Sequence, residues 1–294
     1  MSGVVTLLAP AKINLHLSVI GKRTDGYHEI ASLMQMVGCY DHLTFQPRPS
    51  GIRLTMAGAA LPRGQANLVF RAASLLRKEA RRGGQGVGGA AITLSKNIPI
   101  AAGLGGGSAD AAATLVGLNR LWSLKWTRAR LARLGAALGS DLPFFFRGPT
   151  AWVTGRGEAV TRITPFLTGW IVLVDPGIPI STAWAYQAYD DLKEIRRLTG
   201  ANQIAVPNAT ALMRFARRPH NDLEKVALSA YSELIRIKET LRRMGGRWTL
   251  MSGSGASIFS LFTLKAQALR AASAVQEGNM GRAQVVRVLR RTPF

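Results

Sequence analysis

Between Ile98 and Asp110 the chain reads Ile-Pro-Ile-Ala-Ala-Gly-Leu-Gly-Gly-Gly-Ser-Ala-Asp, and an alanine-rich helical pattern follows from Ala109 to about Leu121. An apolar run from Ala90 to Leu94 precedes it and predicts a strand. Glycine permits positive φ and a close backbone approach, because no Cβ intervenes. Ser108 suits an N-cap, and the first amides of a helix have no intrahelical partners. Those amides, together with the helix dipole, favour an anion. The stretch therefore predicts a phosphate cradle, with the Ser108 hydroxyl available to a phosphate oxygen or a Mg²⁺ ion. Two common phosphate loops are excluded. The pattern G-x-x-x-x-G-K-[ST] requires a Lys that the stretch lacks. The pattern G-x-G-x-x-G, begun at Gly103, meets Ser108 where its last Gly should stand.

With 294 residues, 47% of them hydrophobic, the chain is long enough for one large or two ordinary domains. Cys39 is the single cysteine, which excludes a disulfide framework and a cysteine zinc site and fits a reducing cytoplasmic compartment. The four histidines show no metal-ligand spacing, and no signal peptide or membrane-length apolar run is evident. The formal charge is +22. The basic residues are scattered in short pairs such as Arg81-Arg82 and Arg290-Arg291. That distribution predicts a solvated basic surface suited to polyanionic small substrates, rather than a nucleic-acid site.

From Lys12 the alternation is regular: Ile13, Leu15, Leu17 and Val19 share one face, and Lys12, Asn14, His16 and Ser18 the other. The pattern alone predicts a strand with Lys12 on a solvent-facing side. A turn spans 21–26, Tyr27-His28-Glu29 follows, and separate strands are predicted over Ile30–Val37 and Tyr40–Phe45. Asn67 caps a predicted helix from Leu68 to about Arg82. Ser140-Asp141-Leu142-Pro143 ends a helix begun near Thr127; taken alone, Asp141 reads as an N-cap. A hairpin is predicted around 155–158, and 165–169 is the candidate domain boundary. Beyond it come a strand over Trp170–Val174, a helix from Ser181-Thr182 carrying Trp184, Tyr186 and Tyr189, and a poorly patterned connection over Ala201–Pro219. A βαβ-like unit around the Ser252-Gly253-Ser254-Gly255 loop completes the chain.

Pro10 to Leu15, Pro99 to Ala109 and Ser252 to Ser257 resemble, in order, the three motifs of the GHMP kinases; the central one carries an additional Gly before Ser108. The Asp25-Gly26-Tyr27-His28-Glu29 and Ser140-Asp141-Leu142-Pro143-Phe144-Phe145 segments bring the chain closer to one branch. That branch phosphorylates a 2-hydroxyl of a cytidylyl-bearing substrate in the non-mevalonate route to isoprenoid precursors. The resemblance implies an α+β, two-domain fold: a ribosomal protein S5 domain 2-like N-terminal domain over residues 1–164 and a ferredoxin-like C-terminal domain over 165–294, with the site between them.

It further implies that Pro99, Ile100, Ala101, Ala102, Gly103, Leu104, Gly105, Gly106, Gly107, Ser108 and Ala109 hold the phosphates of ATP. Lys12 and Asp141 would be the catalytic pair, Lys12 stabilising charge and Asp141 taking or orienting the hydroxyl proton. Asn14, Tyr27 and His28 would bind the second substrate. No helix Glu maps as a metal ligand, so Mg²⁺ is inferred from ATP alone. Two alternatives stay open: another GHMP kinase acting on homoserine, mevalonate or a sugar, and a non-catalytic S5-like RNA-binding protein.

Overall fold

The computed structural model describes residues 3–57, 64–192 and 219–294. The connection expected over Ala201–Pro219 falls almost wholly outside them. Two sheets carry the molecule. The first orders its strands β3-β4-β2-β1-β8, from β1 (Val5–Lys22), β2 (His28–Arg48), β3 (Ile52–Ala57), β4 (Gly89–Ser95) and β8 (His220–Asn221). The long β2 also pairs with β5 (Thr150–Gly155), which pairs in turn with β6 (Ala159–Arg162). Helices α1 (Leu68–Arg82), α2 (Gly106–Leu121), α3 (Arg128–Ala136) and α4 (Leu142–Arg147) pack on this sheet in one core with Phe45, Leu76, Leu115 and Phe144.

The second sheet orders β11-β7-β10-β9, from β7 (Trp170–Asp175), β9 (Arg247–Met251), β10 (Ile258–Phe262) and β11 (Arg282–Arg287). Every neighbouring pair is antiparallel. In chain order this is strand 4-1-3-2, the split βαβ arrangement of a ferredoxin-like domain. Its helices are α5 (Thr182–Leu192), α6 (Glu224–Ala230), α7 (Ser232–Arg243) and α8 (Lys265–Glu277). They form a second core with Val174, Leu234, Leu241 and Val275. A third apolar cluster lies between the sheets and joins Ile13 and Leu15 to Ile171, Leu173 and Phe259.

Three expectations change. Ile30–Val37 and Tyr40–Phe45 are one continuous strand, because β1 runs antiparallel beside the whole length. Lys12, Asn14 and His16 are buried at 4%, 1% and 7% exposure, so their face is not solvent-facing. The β1–β2 register shifts between Pro10 and Ala11. Leu7 and Ala9 belong to the helix-side core, whereas Ala11, Ile13 and Leu15 belong to the inter-sheet cluster. At this bulge two residues of β2 are left unpaired, and the odd-numbered side chains of both strands pass from the helix-side core to the inter-sheet cluster. Lys12 there lies against Gly105, where a Cβ would meet its Cγ at 3.0 Å. Third, α2 begins at Gly106 with Gly105 as its cap at φ +68°, so Ser108 lies within the first turn and is not the N-cap. Glycine takes the left-handed cap conformation without a Cβ penalty, which lets the helix start three residues earlier.

Candidate active site

The loop over 99–105 leaves β4, crosses the mouth between the sheets and turns into α2. Gly103 has φ +75°, and a Cβ there would stand 1.9 Å from the Ser252 carbonyl oxygen. Only a glycine lets the two loops approach so closely. Ser252 fastens them: its hydroxyl donates to the Gly103 carbonyl at 3.0 Å and accepts from the Asn14 amide at 3.3 Å. The Lys12 amide donates to the Leu104 carbonyl at 2.9 Å. The three motifs, far apart in sequence, thus meet through the Ser252 hydroxyl and main-chain groups.

Within this junction Lys12 Nζ stands 3.7 Å from Asp141 Oδ2 and donates to Asn14 Oδ1 at 2.6 Å. The Asn14 amide nitrogen donates to Ser32 Oγ at 2.8 Å, and Ser32 donates to the His16 carbonyl at 2.6 Å. This chain fixes the Asn14 amide with its oxygen toward Lys12. Burial pulls the Lys12 ammonium below its ordinary pKa, and the Asp141 carboxylate opposes that pull without cancelling it. Asp141 precedes α4, but its side chain makes no capping hydrogen bond. Its carboxylate is left for Lys12 and the cleft.

The junction opens into a cleft of about 910 Å³ lined by the glycine loop from Pro99 to Ser108, Lys12, Asn14, Asp141 and residues of α5. Ala109 lies behind it, wholly buried in the helix-side core. At the far end, His28 Nε2 lies 2.7 Å from Asp190 Oδ1, and its ring stacks on Tyr186 with centroids 4.7 Å apart. Lys22 Nζ meets the other Asp190 oxygen at 2.7 Å. Burial raises the Asp190 carboxyl, but the hydrogen bonds from Lys22 and His28 outweigh it and leave the group below its ordinary range. Tyr27 is 54% exposed at the lip, under the Arg156 guanidinium.

Beneath the glycine loop lies an ion group that sequence reasoning missed. Lys96 is ion-paired to Asp41 and stands 2.8 Å from Asp110 Oδ2. Asp41 Oδ1 also accepts from the amides of Asn97 and Ile98, at 2.6 and 2.8 Å, and so pins the start of the loop. Burial works against the Lys96 charge, but the two carboxylates together hold it above its ordinary value. Burial pushes the Asp110 carboxyl up to about 8; Lys96 opposes that rise and Asp41 adds to it. Nothing in the local sequence signals this group, because Asp41 and Lys96 are 55 positions apart. Tyr186 and Asp190 left a fainter signal, a four-residue spacing on one helix face, with nothing to tie it to His28.

The models of the GHMP kinases N terminal domain and the GHMP kinases C terminal match residues 67–149 and 191–279. A 4-diphosphocytidyl-2-C-methyl-D-erythritol kinase of Moorella thermoacetica is 42% identical over 283 residues, covering 93% of this chain and 95% of its own. The chain belongs to this kinase family, within the GHMP kinases. A crystal structure of 4-(cytidine 5'-diphospho)-2C-methyl-D-erythritol kinase superposes with a TM-score of 0.78 at 36% identity, covering 97% of this chain and 99% of that one. A homoserine kinase of Cytophaga hutchinsonii, covering 99% of this chain and 96% of its own, superposes with a TM-score of 0.71 at 20% identity and shows the shared fold alone. Membership makes the chain a small-molecule kinase with ATP as co-substrate. Among the described residues no helix is long and apolar enough to cross a membrane.

Proposed function

We propose that the protein transfers the γ-phosphoryl group of ATP to the 2-hydroxyl of 4-diphosphocytidyl-2-C-methyl-D-erythritol. The observation that carries this reading is the Lys12–Asp141 pair, 3.7 Å apart where the glycine loop meets a cleft whose other end holds His28 and Tyr186. Phosphoryl transfer needs positioning and charge stabilisation more than covalent chemistry. The loop from Pro99 to Ser108 and the unpaired first amides of α2 hold the ATP phosphates. Asp141 takes the proton of the acceptor hydroxyl, that oxygen bonds to the γ-phosphorus, and the bond to the bridging oxygen breaks to release ADP. Lys12 stabilises the charge that builds on the transferring group, and Asn14 keeps its ammonium aimed.

The Asp190 carboxylate can only accept, so it holds a proton on His28 Nε2 and leaves Nδ1 as an acceptor in the neutral ring. Cytosine offers an exocyclic amine to such an acceptor, whereas uracil offers a carbonyl oxygen. Tyr27 and Tyr186 supply stacking faces, each worth about 1–3 kcal/mol in nucleic-acid sites. Mg²⁺ carried with ATP would offset the phosphate charge here. The Ser108 hydroxyl and Asp141 carboxylate are cleft oxygen donors of the type it accepts. We place the domain division at 164/165, between the end of β6 and the start of β7, and the enzyme in the cytoplasm. We assign the basic excess to a solvated surface rather than to nucleic-acid binding.

The test is ADP release by the purified protein with ATP and each of diphosphocytidyl-methylerythritol, mevalonate and homoserine. Turnover with the first alone is expected. Turnover with either of the others at a comparable kcat/KM would overturn the assignment.

A further inference from the structure

The proposed substrate carries a diphosphate between its base and its reacting polyol, so the cleft must meet negative charge midway along its length. Most cationic side chains that line it are committed. Lys12 stands by Asp141, Lys22 is paired with Asp190, and Lys96 is held by Asp41 and Asp110. Lys12 is thus engaged at the reacting group, and the ammoniums of Lys22 and Lys96 are already offset by carboxylates.

Arg156 differs from all three. It sits on the Gly155-Arg156-Gly157-Glu158 turn between β5 and β6, lines the cleft, and is exposed. Its amide donates to Glu158 Oε2 at 2.7 Å, so that carboxylate serves the turn's backbone. Its guanidinium lies 4.7 Å from the centroid of the Tyr27 ring. Among the described residues it makes no ion pair. The nearby Asp25 is engaged by Arg23 at 3.2 Å and by the Tyr27 amide at 3.2 Å.

The turn is held at both ends of the chemistry. The Gly155 amide donates at 2.8 Å to Glu29 Oε1, beside His28, while Glu29 Oε2 is paired with Arg23 at 2.6 Å. Gly157 packs against the other end, where a Cβ would meet Ser140 Cβ at 3.2 Å and Asp141 Oδ1 at 3.4 Å. The backbone carrying Arg156 is therefore fixed between the proposed base site and the reacting pair. Its side chain is the uncommitted fork of donors at that wall, and a guanidinium matches phosphate oxygens in bidentate geometry.

We propose that Arg156 is the cation that receives the diphosphate of the cytidylyl substrate and sets the distance between the bound base and the acceptor hydroxyl. This deepens the proposed function and rests on its reading of the cleft as a cytidylyl site. In the free protein Tyr27 stores the guanidinium as a cation–π partner. On binding, the guanidinium exchanges the ring face for the phosphates.

Calorimetric titration of cytidine and CDP into the protein tests this without turnover, using the parent, Arg156→Gln and Arg156→Lys, with ATP affinity as the control for folding. The parent should bind CDP roughly tenfold or more tighter than cytidine, the size of a charge-assisted hydrogen bond. Arg156→Gln should lose that advantage and keep its cytidine affinity within about twofold. Arg156→Lys should keep part of it, since a point charge replaces the fork. A full CDP advantage in Arg156→Gln would overturn the proposal, as would an equal loss for cytidine and CDP, which would make Arg156 only a prop for Tyr27. Absence of cytidine binding in the parent, with ATP bound normally, would instead overturn the cytidylyl reading on which it rests.

Discussion

The hydroxyl of Ser252 donates to the carbonyl of Gly103 at 3.0 Å and accepts from the amide of Asn14 at 3.3 Å. One wholly buried side chain thereby joins the glycine loop, the Lys12 strand and the second sheet. Ser252→Ala leaves two buried backbone groups without that partner, which should cost about 1–3 kcal/mol of stability. ATP affinity should fall with it, because the loop loses its seat. Denaturant unfolding and nucleotide titration check both. An unchanged ATP affinity in a destabilised variant would separate the contact from the phosphate site.

Lys12 and Asp141 face one another at 3.7 Å and should act on one transferring group. Lys12→Ala and Asp141→Ala are each expected to lose on the order of 10²–10⁴ in turnover. The double variant should lose little more than the worse single one, because groups that act as a unit are not additive. Steady-state ADP release measures all three. Losses that multiply would count against a shared role.

His28 stacks on Tyr186 and bonds Asp190, so base recognition is predicted to depend on all three. Tyr186→Ala should raise KM for the cytidylyl substrate by about tenfold and leave that for ATP near the parent value. Asp190→Asn removes the group that holds the proton on Nε2. It should narrow the preference for a cytosine over a uracil substrate more than it changes kcat. A competition assay with the two nucleotide forms decides this; discrimination equal to the parent's would place base choice elsewhere.

Asp110 gives a pH dependence with a definite sign. Its folded pKa is raised from 3.8 to about 8, first by burial. Between those values the unfolded chain has lost the proton and the native state keeps it. Native protein then binds more protons, and stability falls as pH rises through that window. Asp110→Asn keeps an oxygen for Lys96 and cannot ionise. It should gain on the parent progressively as pH rises across the window and change no further above it. Urea unfolding at several pH values tests the slope; parallel profiles would sink the assignment.

Local patterns carried far in this chain. The glycine run preceding a helix marked the phosphate loop, because few other reasons place four glycines before a strong helix start. Asn67 marked the start of α1, where its side chain accepts from the Val69 amide. The strand and helix sequence after Trp170 matched the second sheet. These features depend on backbone φ, caps and period, which act over a few residues. The burial of Lys12 did not show. Alternation reports which side chains share a face, but a register shift in the partner strand decides what that face meets. Ser108 read as a cap only because the glycines before it hide where the helix begins. The Asp41–Lys96–Asp110 group, the link of His28 to Tyr186 and Asp190, and the contact of Ser252 with Gly103 were invisible. Each joins residues that sequence separates, so only packing the sheets and helices together sets the distances. Charge, burial and proton position in the site follow from those distances, because Coulomb and desolvation energies depend on position in space and not along the chain.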